Sequence, residues 1–409
     1  MKRIEGGICA AKGFKATGLE VGIKENHPGK KDMAMIFAEV PCRAAGTFTT
    51  NLVQAAPVQW DKRIVRESEF VQAVVVNSGI ANACTGTQGL AYCKEIAEQT
   101  GEAAGISADM VLTASTGVIG QQLPMDKIKM GIDRMMPALG NTAADAALAA
   151  EAIMTTDTVS KQTALQVEIG GKTVTVGGMC KGSGMIHINM CTMLGFITTD
   201  VNISKELLQA ALSETIPDTF NMVSVDGDTS TNDTVLLLAS GLAENDAICE
   251  KNEDYDKFKQ ALTEVSTILS KKIAGDGEGA TALFEVKAVH AATKEDAVIL
   301  SKSVVTSSLT KAAIYGHDAN WGRILCAMGY SGVSFDPERV DIYFESKAGK
   351  IQIVENGVAT DYSEEEATRI LSEPEVTAVL DVKAGDASAT AWGCDLTYDY
   401  VKINADYRS

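Results

Sequence analysis

Strand-like and helix-like segments alternate along the whole chain of 409 residues, and this mixture limits most strongly how the chain can fold. Residues 70–76 form a short apolar run that is typical of a buried strand. Residues 166–169 and 173–176 flank Gly170-Gly171, a pair that predicts a hairpin turn because glycine adopts positive φ without strain. Apolar residues at helical spacing indicate an amphipathic helix over residues 254–269, and they are Phe258, Leu262, Val265 and Leu269.

The same kinds of pattern predict further elements in both halves of the chain, with neither an internal repeat nor a Pro/Ser-rich linker between them. The predicted helices cover residues 89–104, 125–139, 142–154, 204–215, 293–310 and 363–371. The predicted strands cover residues 110–113, 235–239 and 280–289. We therefore expect an α/β (α+β layered) fold, in which a boundary near residues 285–300 sets off a smaller C-terminal α/β domain.

Charge and hydropathy argue against nucleic acid and membranes as partners. Asp and Glu number 54 against 36 Lys and Arg, a net charge of −18, whereas nucleic-acid binding depends on basic side chains. The longest apolar runs fall short of the roughly 18–20 residues that cross a bilayer. No apolar stretch follows Lys2 and Arg3, so a signal peptide is not expected. These features predict a cytoplasmic protein.

Cysteine and histidine usage predicts neither a disulfide framework nor a metal site. The nine cysteines are odd in number and widely spaced, and they form no Cys-x-x-Cys. The four histidines form no His-Glu-x-x-His. The glycine cluster at residues 275–279 follows a predicted helix and precedes a predicted strand, which is the wrong order for a dinucleotide-binding loop. It predicts a helix stop and a turn around Glu278.

Residues 180–200 form the most unusual stretch, in which glycines at 182 and 184 precede Thr192 and an apolar run. A threonine hydroxyl is a weak nucleophile unless a base lies beside it, and an N-terminal threonine carries such a base in its own α-amine. Internal Thr192 reaches that state only if the peptide bond from Cys191 is cut. By composition alone, Thr192 is an ordinary strand residue.

The stretch Lys181-Gly182-Ser183-Gly184-Met185-Ile186-His187 and the residues after it resemble the processing site of the glutamate N-acetyltransferase (ornithine acetyltransferase) family of arginine biosynthesis. Two positions depart from the family pattern, Ile188 in place of Pro and Cys191 in place of Ala. Other blocks resemble the same family in order along the chain, and they lie at residues 11–16, 77–86, 115–120, 154–158, 224–233, 318–324 and 401–409.

The resemblance implies a self-cleaving acetyltransferase with the fold of that family. Cleavage between Cys191 and Thr192 would leave an α chain of residues 1–191 and a β chain of residues 192–409. The freed Thr192 would take the acetyl group of N2-acetylornithine and pass it to glutamate, a ping-pong scheme. The sequence leaves open whether acetyl-CoA also serves as a donor. Two alternatives are a self-processing N-terminal-threonine amidohydrolase or aminopeptidase, and an uncut binding protein on this fold.

The resemblance also assigns site residues. Thr192 is the nucleophile, and Thr116 with Gly117 forms the oxyanion hole. The substrate-binding set implied by the family is Thr155, Lys181, Thr192, Glu278, Asn404 and Ser409. Lys181 is suited to a substrate carboxylate and Glu278 to an ammonium group. No cofactor is expected beyond the substrates, and the α and β chains are expected to form an α₂β₂ assembly.

Overall fold

The computed structural model describes residues 1–25, 27–187 and 193–405, and within them strands and helices are mixed as predicted. The strands are β1 (Lys2–Ile4), β2 (Phe14–Leu19), β3 (Met33–Phe48), β4 (Val71–Ile80), β5 (Val111–Val118), β6 (Lys161–Ile169), β7 (Lys172–Lys181), β8 (Ile186–His187), β9 (Leu194–Thr199), β10 (Ser224–Thr229), β11 (Thr234–Ala239), β12 (Leu283–Ala291), β13 (Asp341–Ser346), β14 (Gly349–Glu355), β15 (Val358–Ala359), β16 (Glu375–Asp381) and β17 (Ala387–Cys394).

The α-helices lie between and around these strands. They are α1 (Ala56–Glu67), α2 (Gly86–Ala104), α3 (Met125–Met135), α4 (Ala143–Ala152), α5 (Lys205–Thr215), α6 (Glu253–Gly275), α7 (Lys294–Val305), α8 (Ser308–Tyr315), α9 (Trp321–Gly329), α10 (Glu364–Leu371) and α11 (Tyr398–Ala405). The fold is therefore a layered α/β fold, and this prediction is confirmed.

Residue contacts divide the chain into two compact units, and neither unit is one continuous stretch of sequence. Unit 1 consists of Met1–Gly182, Asn189–Asn221 and Thr229–Leu269. Unit 2 consists of Ser183–Ile188, Met222–Asp228 and Ser270–Ser409. The chain passes from one unit to the other within α6, and the predicted boundary near residues 285–300 falls inside unit 2.

The main sheet of unit 1 has the strand order β1-β6-β7-β9-β11-β3-β4-β5, with β2 paired to β3. Strand β3 joins its two parts. The first half of β3 pairs with β2 and β4, and its second half pairs with β11. The register shifts between Phe37 and Cys42, around Pro41. Because proline has no N–H to donate, it is suited to the place where the pairing changes from one strand to another.

The predicted hairpin is present as β6 and β7. Gly170 and Gly171 have φ of 56° and 73°, as a two-residue turn between twisted strands requires. Strand β7 pairs antiparallel with β9, so that Lys181 lies opposite Leu194. Strand β9 in turn runs parallel to β11. The hairpin therefore carries Lys181 to the end of a central strand of the sheet.

Helix α6 shows why the apolar spacing in its sequence predicted it correctly. Its four spaced apolar side chains are fully buried, and they are Phe258, Leu262, Val265 and Leu269. Burial of side chains of this size contributes about 1.5–3 kcal/mol each. The helix ends at Gly275, where the predicted turn follows, and β12 begins at Leu283.

Unit 2 contains a six-stranded sheet of order β15-β14-β13-β16-β12-β17 and a two-stranded sheet of β8 and β10. The single helix predicted over residues 293–310 is wrong in extent, because α7 ends at Val305 and α8 begins at Ser308. The hydroxyl of Ser307 accepts a hydrogen bond from the backbone N–H of Thr310 and so caps a new helix.

Helices α7 and α8 together have the length and apolar composition of a membrane-spanning segment. None of the helices in residues 1–25, 27–187 and 193–405 is long and apolar enough to cross a membrane alone. The pair passes that test only when the two are taken together, and they bend by 57° at the break.

Candidate active site

The predicted oxyanion-hole residues Thr116 and Gly117 lie at the carboxyl end of β5 and are half-buried. Gly117 pairs with Gly79 of the parallel strand β4, and the register is irregular at this point. A Cβ atom on Gly117 would overlap the backbone of Gly79, and Gly117 has a φ of 130°. Because both constraints exclude a side chain, only glycine fits at this position of the strand end.

Buried amides hold this strand end in place. The Ser115 hydroxyl donates to the Asn77 side chain over 2.6 Å, and Asn77 donates to the carbonyl of Ile80 over 2.8 Å. The side-chain amide of Asn232 donates to the carbonyls of Ala81 (2.6 Å) and Ser115 (2.7 Å). These bonds tie the ends of β4 and β5 together, so that Thr116 and Gly117 are fixed before any substrate binds.

The buried carboxylate of Asp157 organises the segment that contains Thr155. Its Oδ2 accepts the backbone N–H of Thr155 at 3.0 Å, and its Oδ1 accepts that of Gly182 at 2.8 Å. The Lys161 ammonium lies 2.7 Å from Oδ1, and both side chains are almost fully buried. Burial by itself raises the pKa of Asp157, but the charges of Lys181 and Lys161 outweigh it and lower that pKa below its usual range.

Lys24 holds the same segment from the other side. Its ammonium donates to the carbonyl of Met154 at 2.8 Å and to that of Lys31 at 2.9 Å. Burial lowers the pKa of Lys24 to about 8. Two charged side chains therefore hold the peptide group between Met154 and Thr155, one at its carbonyl and one at its N–H.

Lys181 is 7% exposed at the end of β7, and its charge acts to lower the pKa of two carboxyl groups of unit 1. The first is Asp157 and the second is Asp233, which is fully buried. Burial raises the pKa of Asp233 well above its usual range, in spite of hydrogen bonds from the Ser230 hydroxyl and the Met193 backbone. Among the described residues, no ion pair engages the Lys181 ammonium, which leaves it suited to a substrate carboxylate.

In unit 2, Glu278 and Asn404 lie side by side. The Asn404 amide donates to Oε2 of Glu278 at 2.7 Å and to the carbonyl of Tyr400 at 3.0 Å. Glu278 is 6% exposed, and none of the ion pairs formed within the described residues involves it. A buried carboxylate with an amide donor and no cation partner is suited to bind an ammonium group.

Several predicted residues lie outside the described part of the chain. They are Cys191, Thr192 and Ser409, whose assignments stay predictions. Within residues 1–25, 27–187 and 193–405, no group of three or more His, Cys, Asp or Glu side chains could hold a metal ion.

Comparison with known proteins decides the family. The sequence model of the ArgJ family matches residues 15–409. This chain belongs to the ArgJ family. A relative named arginine biosynthesis bifunctional protein ArgJ, from Thermotoga neapolitana, is 49% identical over 399 residues, which are 97% of this chain and 99% of that protein. A relative of the same name from Symbiobacterium thermophilum is 52% identical over 409 residues, covering all of both chains.

A solved structure supports the fold of this ArgJ-family chain. It is the crystal structure of arginine biosynthesis bifunctional protein argJ from Bacillus halodurans, 48% identical in sequence. The match has a TM-score of 0.50 and covers 52% of this chain and 99% of the solved one. The family predicted from the sequence motifs is thereby confirmed.

Some residues that shape the site were not identified from the ArgJ motifs. Asp157 lies in the recognised block at residues 154–158, but its sequence gives no sign that it accepts the N–H of Gly182, 25 positions later. Asn232 and Asp233 are the last two residues of the block at residues 224–233. Their sequence does not distinguish a side chain that supports the fold from one that binds a substrate. The one sequence signal for such supporting residues was a polar side chain inside a predicted buried strand or turn.

The Asp157–Lys161 pair leads to a stability prediction. We expect Asp157→Asn to destabilise the protein by about 3–5 kcal/mol, because it removes one charge of a buried ion pair. The folded-state pKa of Asp157 is lowered, so its contribution to stability is present above the unfolded pKa of about 4 and is lost as the pH falls through the folded value. Urea unfolding at pH 7 and at lower pH measures both effects.

The matched control is Glu253→Gln. Glu253 and Lys257 are also four residues apart with an N–O distance of 2.7 Å, but their side chains are 83% and 40% exposed. We expect no measurable change in the urea midpoint from this variant, since exposed pairs contribute little. Equal destabilisation by the two variants would contradict a special role for the Asp157–Lys161 pair.

Proposed function

We propose that this chain transfers the acetyl group of N2-acetylornithine to glutamate, which gives ornithine and N-acetylglutamate, by way of an acetyl group on Thr192. The observation that carries the proposal is the end-to-end similarity to proteins named arginine biosynthesis bifunctional protein, at 49–52% identity. The buried carboxylate of Glu278 and the buried ammonium of Lys181 add the charges that these substrates require.

The first step is self-cleavage. The Thr192 hydroxyl attacks the Cys191 carbonyl, the acyl group moves from nitrogen to oxygen, and water releases it as the new carboxyl terminus of the α chain. The α-amine of Thr192 is then free to act as a base.

The second step is acetyl transfer in two halves. The Thr192 hydroxyl gives its proton to its own α-amine and attacks the acetyl carbon of N2-acetylornithine, and the resulting oxyanion is stabilised by donors from Thr116 and Gly117. The proton passes to the departing amine of ornithine. Glutamate then repeats the sequence in reverse, with its α-amine attacking the acetyl-threonine ester and losing a proton to the α-amine of Thr192.

The two substrates share an α-carboxylate and differ in the charge of their side chains. We assign Lys181 to a substrate carboxylate and Glu278, with Asn404 beside it, to the side-chain ammonium of ornithine. Thr155 and Ser409 are assigned as neutral hydrogen-bonding groups. Ping-pong kinetics lets each substrate use these groups in turn.

The experiment is to incubate the purified protein with N2-acetylornithine and glutamate and to measure N-acetylglutamate and ornithine, with and without acetyl-CoA. We expect equal amounts of the two products without acetyl-CoA, and acetyl-enzyme when glutamate is left out. Release of acetate and ornithine at an unchanged rate without glutamate would favour an amidohydrolase. The end-to-end identity to biosynthetic proteins argues against that alternative. N-acetylglutamate formed from acetyl-CoA and glutamate alone would add the second donor.

We also propose that the cut chains remain together as an α₂β₂ assembly in the cytoplasm and that no cofactor is needed beyond the substrates. The eight cysteines in the described part of the chain form no disulfide bond, as is usual for a reducing compartment. Light scattering on the cut protein tests the assembly.

A further inference from the structure

We propose that Ser183 and Gly184, which precede the cut site in sequence, fix the position of the Glu278 carboxylate and thereby determine the preference for a donor with a side-chain ammonium. This inference rests on the proposed function and adds two positioning residues to it. All the contacts that carry it lie within unit 2.

Ser183 holds the backbone of the turn that carries Glu278. Its hydroxyl donates to the carbonyl of Asp276 at 2.7 Å, and its own carbonyl accepts the N–H of Glu278 at 3.0 Å. Ser183 is fully buried. One residue thus binds the turn at two places, so that the turn after α6 has a single position relative to the segment at 183–187.

Gly184 determines where the carboxylate itself can lie. A Cβ atom on Gly184 would overlap Cδ and both carboxylate oxygens of Glu278, so the carboxylate packs directly against the glycine backbone. The φ of Gly184 lies outside the left-handed region, and alanine can therefore adopt this backbone. Because the overlapping atoms are the far end of a flexible side chain, the carboxylate and not the fold has to move.

Two further contacts keep this arrangement in place. Asn404 donates to Oε2 of Glu278 from α11. Asp226 accepts the N–H of Met185 at 2.6 Å and that of Ile186 at 2.8 Å, which anchors the residues directly after Gly184. Burial and the negative charges of Asp226 and Glu278 raise the pKa of Tyr400, as expected in a region of negative electrostatic potential. The same potential attracts an ammonium group.

The expected effect of Gly184→Ala follows from these contacts. The Glu278 carboxylate must move by roughly 1 Å to reach van der Waals distance from a new methyl group. A displacement of that size at a binding group costs about 10²-fold in rate. The loss should fall on substrates that use the carboxylate and spare those that do not.

The test compares two donors, N2-acetylornithine and N2-acetylnorvaline, which lacks the side-chain ammonium. Acetylation of Thr192 is followed by single-turnover mass spectrometry, and rates are normalised to the fraction of cut protein on a denaturing gel. We expect the wild type to prefer acetylornithine by at least ~30-fold. We expect Gly184→Ala to abolish all or most of this preference. We expect Glu278→Gln to do the same, with no further loss in the double variant.

Two more variants complete the test, one as a control for general damage and one as a second probe of the turn. Gly329→Ala is the matched control, since a Cβ there meets no atom within 4 Å and its φ is also outside the left-handed region. It should leave the preference unchanged. Ser183→Ala, which removes one hydrogen bond and adds no bulk, should lower the preference by roughly fivefold. It keeps the inference testable if Gly184→Ala is not cut.

The outcomes separate this inference from the proposed function. A wild type that acetylates Thr192 from neither donor overturns both. A wild type that prefers acetylornithine, with an unchanged preference in Gly184→Ala and Ser183→Ala, overturns only the role of these two residues. Equal losses for both donors would likewise overturn it, because they would show general damage and not a displaced carboxylate.

Discussion

Thr192→Ala is expected to leave the chain uncut and without acetyltransferase activity, because it removes the hydroxyl that both cleavage and acetyl transfer require. Wild-type protein should give two bands of roughly 20 and 23 kDa, in proportion to their shares of 43.2 kDa. Amino-terminal sequencing of the larger band should begin Thr-Met-Leu-Gly. A denaturing gel and the two-substrate assay measure both expectations.

Two variants serve as controls for that result. Cys191→Ala introduces the residue that the family pattern has before the nucleophile and should be cut and active, since it keeps the attacked carbonyl and the hydroxyl. Thr192→Ser keeps a hydroxyl and should still be cut. Fully active wild-type protein that runs as one intact band would rule out the mechanism.

Thr116→Ala is expected to lower kcat by about 10²–10³, the usual cost of removing one oxyanion donor, with little change in stability. The reason is the place of Thr116, half-buried at the end of β5, where it is not part of the core. Gly117→Ala should lower kcat at least as much, because its methyl group would overlap the backbone of Gly79 and displace the strand end. Steady-state kinetics with both substrates varied measures the change.

Ile119→Ala is the control for these two variants, since Ile119 is exposed two residues further along the same chain segment. It should leave kcat within about twofold of the wild type. A rise in KM with unchanged kcat in Thr116→Ala would make Thr116 a substrate-binding residue and not a stabiliser of the transition state.

Patterns that depend on nearby residues were predicted well from the sequence. The hairpin at Gly170-Gly171 and the buried face of α6 depend on residues within a few positions of one another. The break between α7 and α8 was missed because the apolar spacing continues through residues 304–309. Ser307 caps the start of α8, but the sequence alone does not distinguish a capping serine from a serine inside a helix.

The long strand β3 could not be predicted in the same way. It pairs with three other strands, and its identity as a strand depends on those partners more than on its own residues. The site shows the same division. Motifs supplied the residues that we assign to substrates. The groups that hold those residues are joined by contacts such as that of Ser183 with Glu278, which are 95 positions apart in the chain.

The strand order of unit 1 has a consequence for the two chains that the proposed cleavage would produce. Strands β9 and β11 follow the proposed cut site in the sequence, yet they lie between β7 and β3, which precede it. Separating the two chains would break the β7–β9 and β11–β3 pairings and expose four unpaired strand edges. The uncut chain builds this sheet by an intramolecular search, whereas two separate chains would have to meet in solution with incomplete sheets. The proposed cleavage would therefore make folding effectively irreversible, because the two chains, once separated, would regain this sheet only slowly.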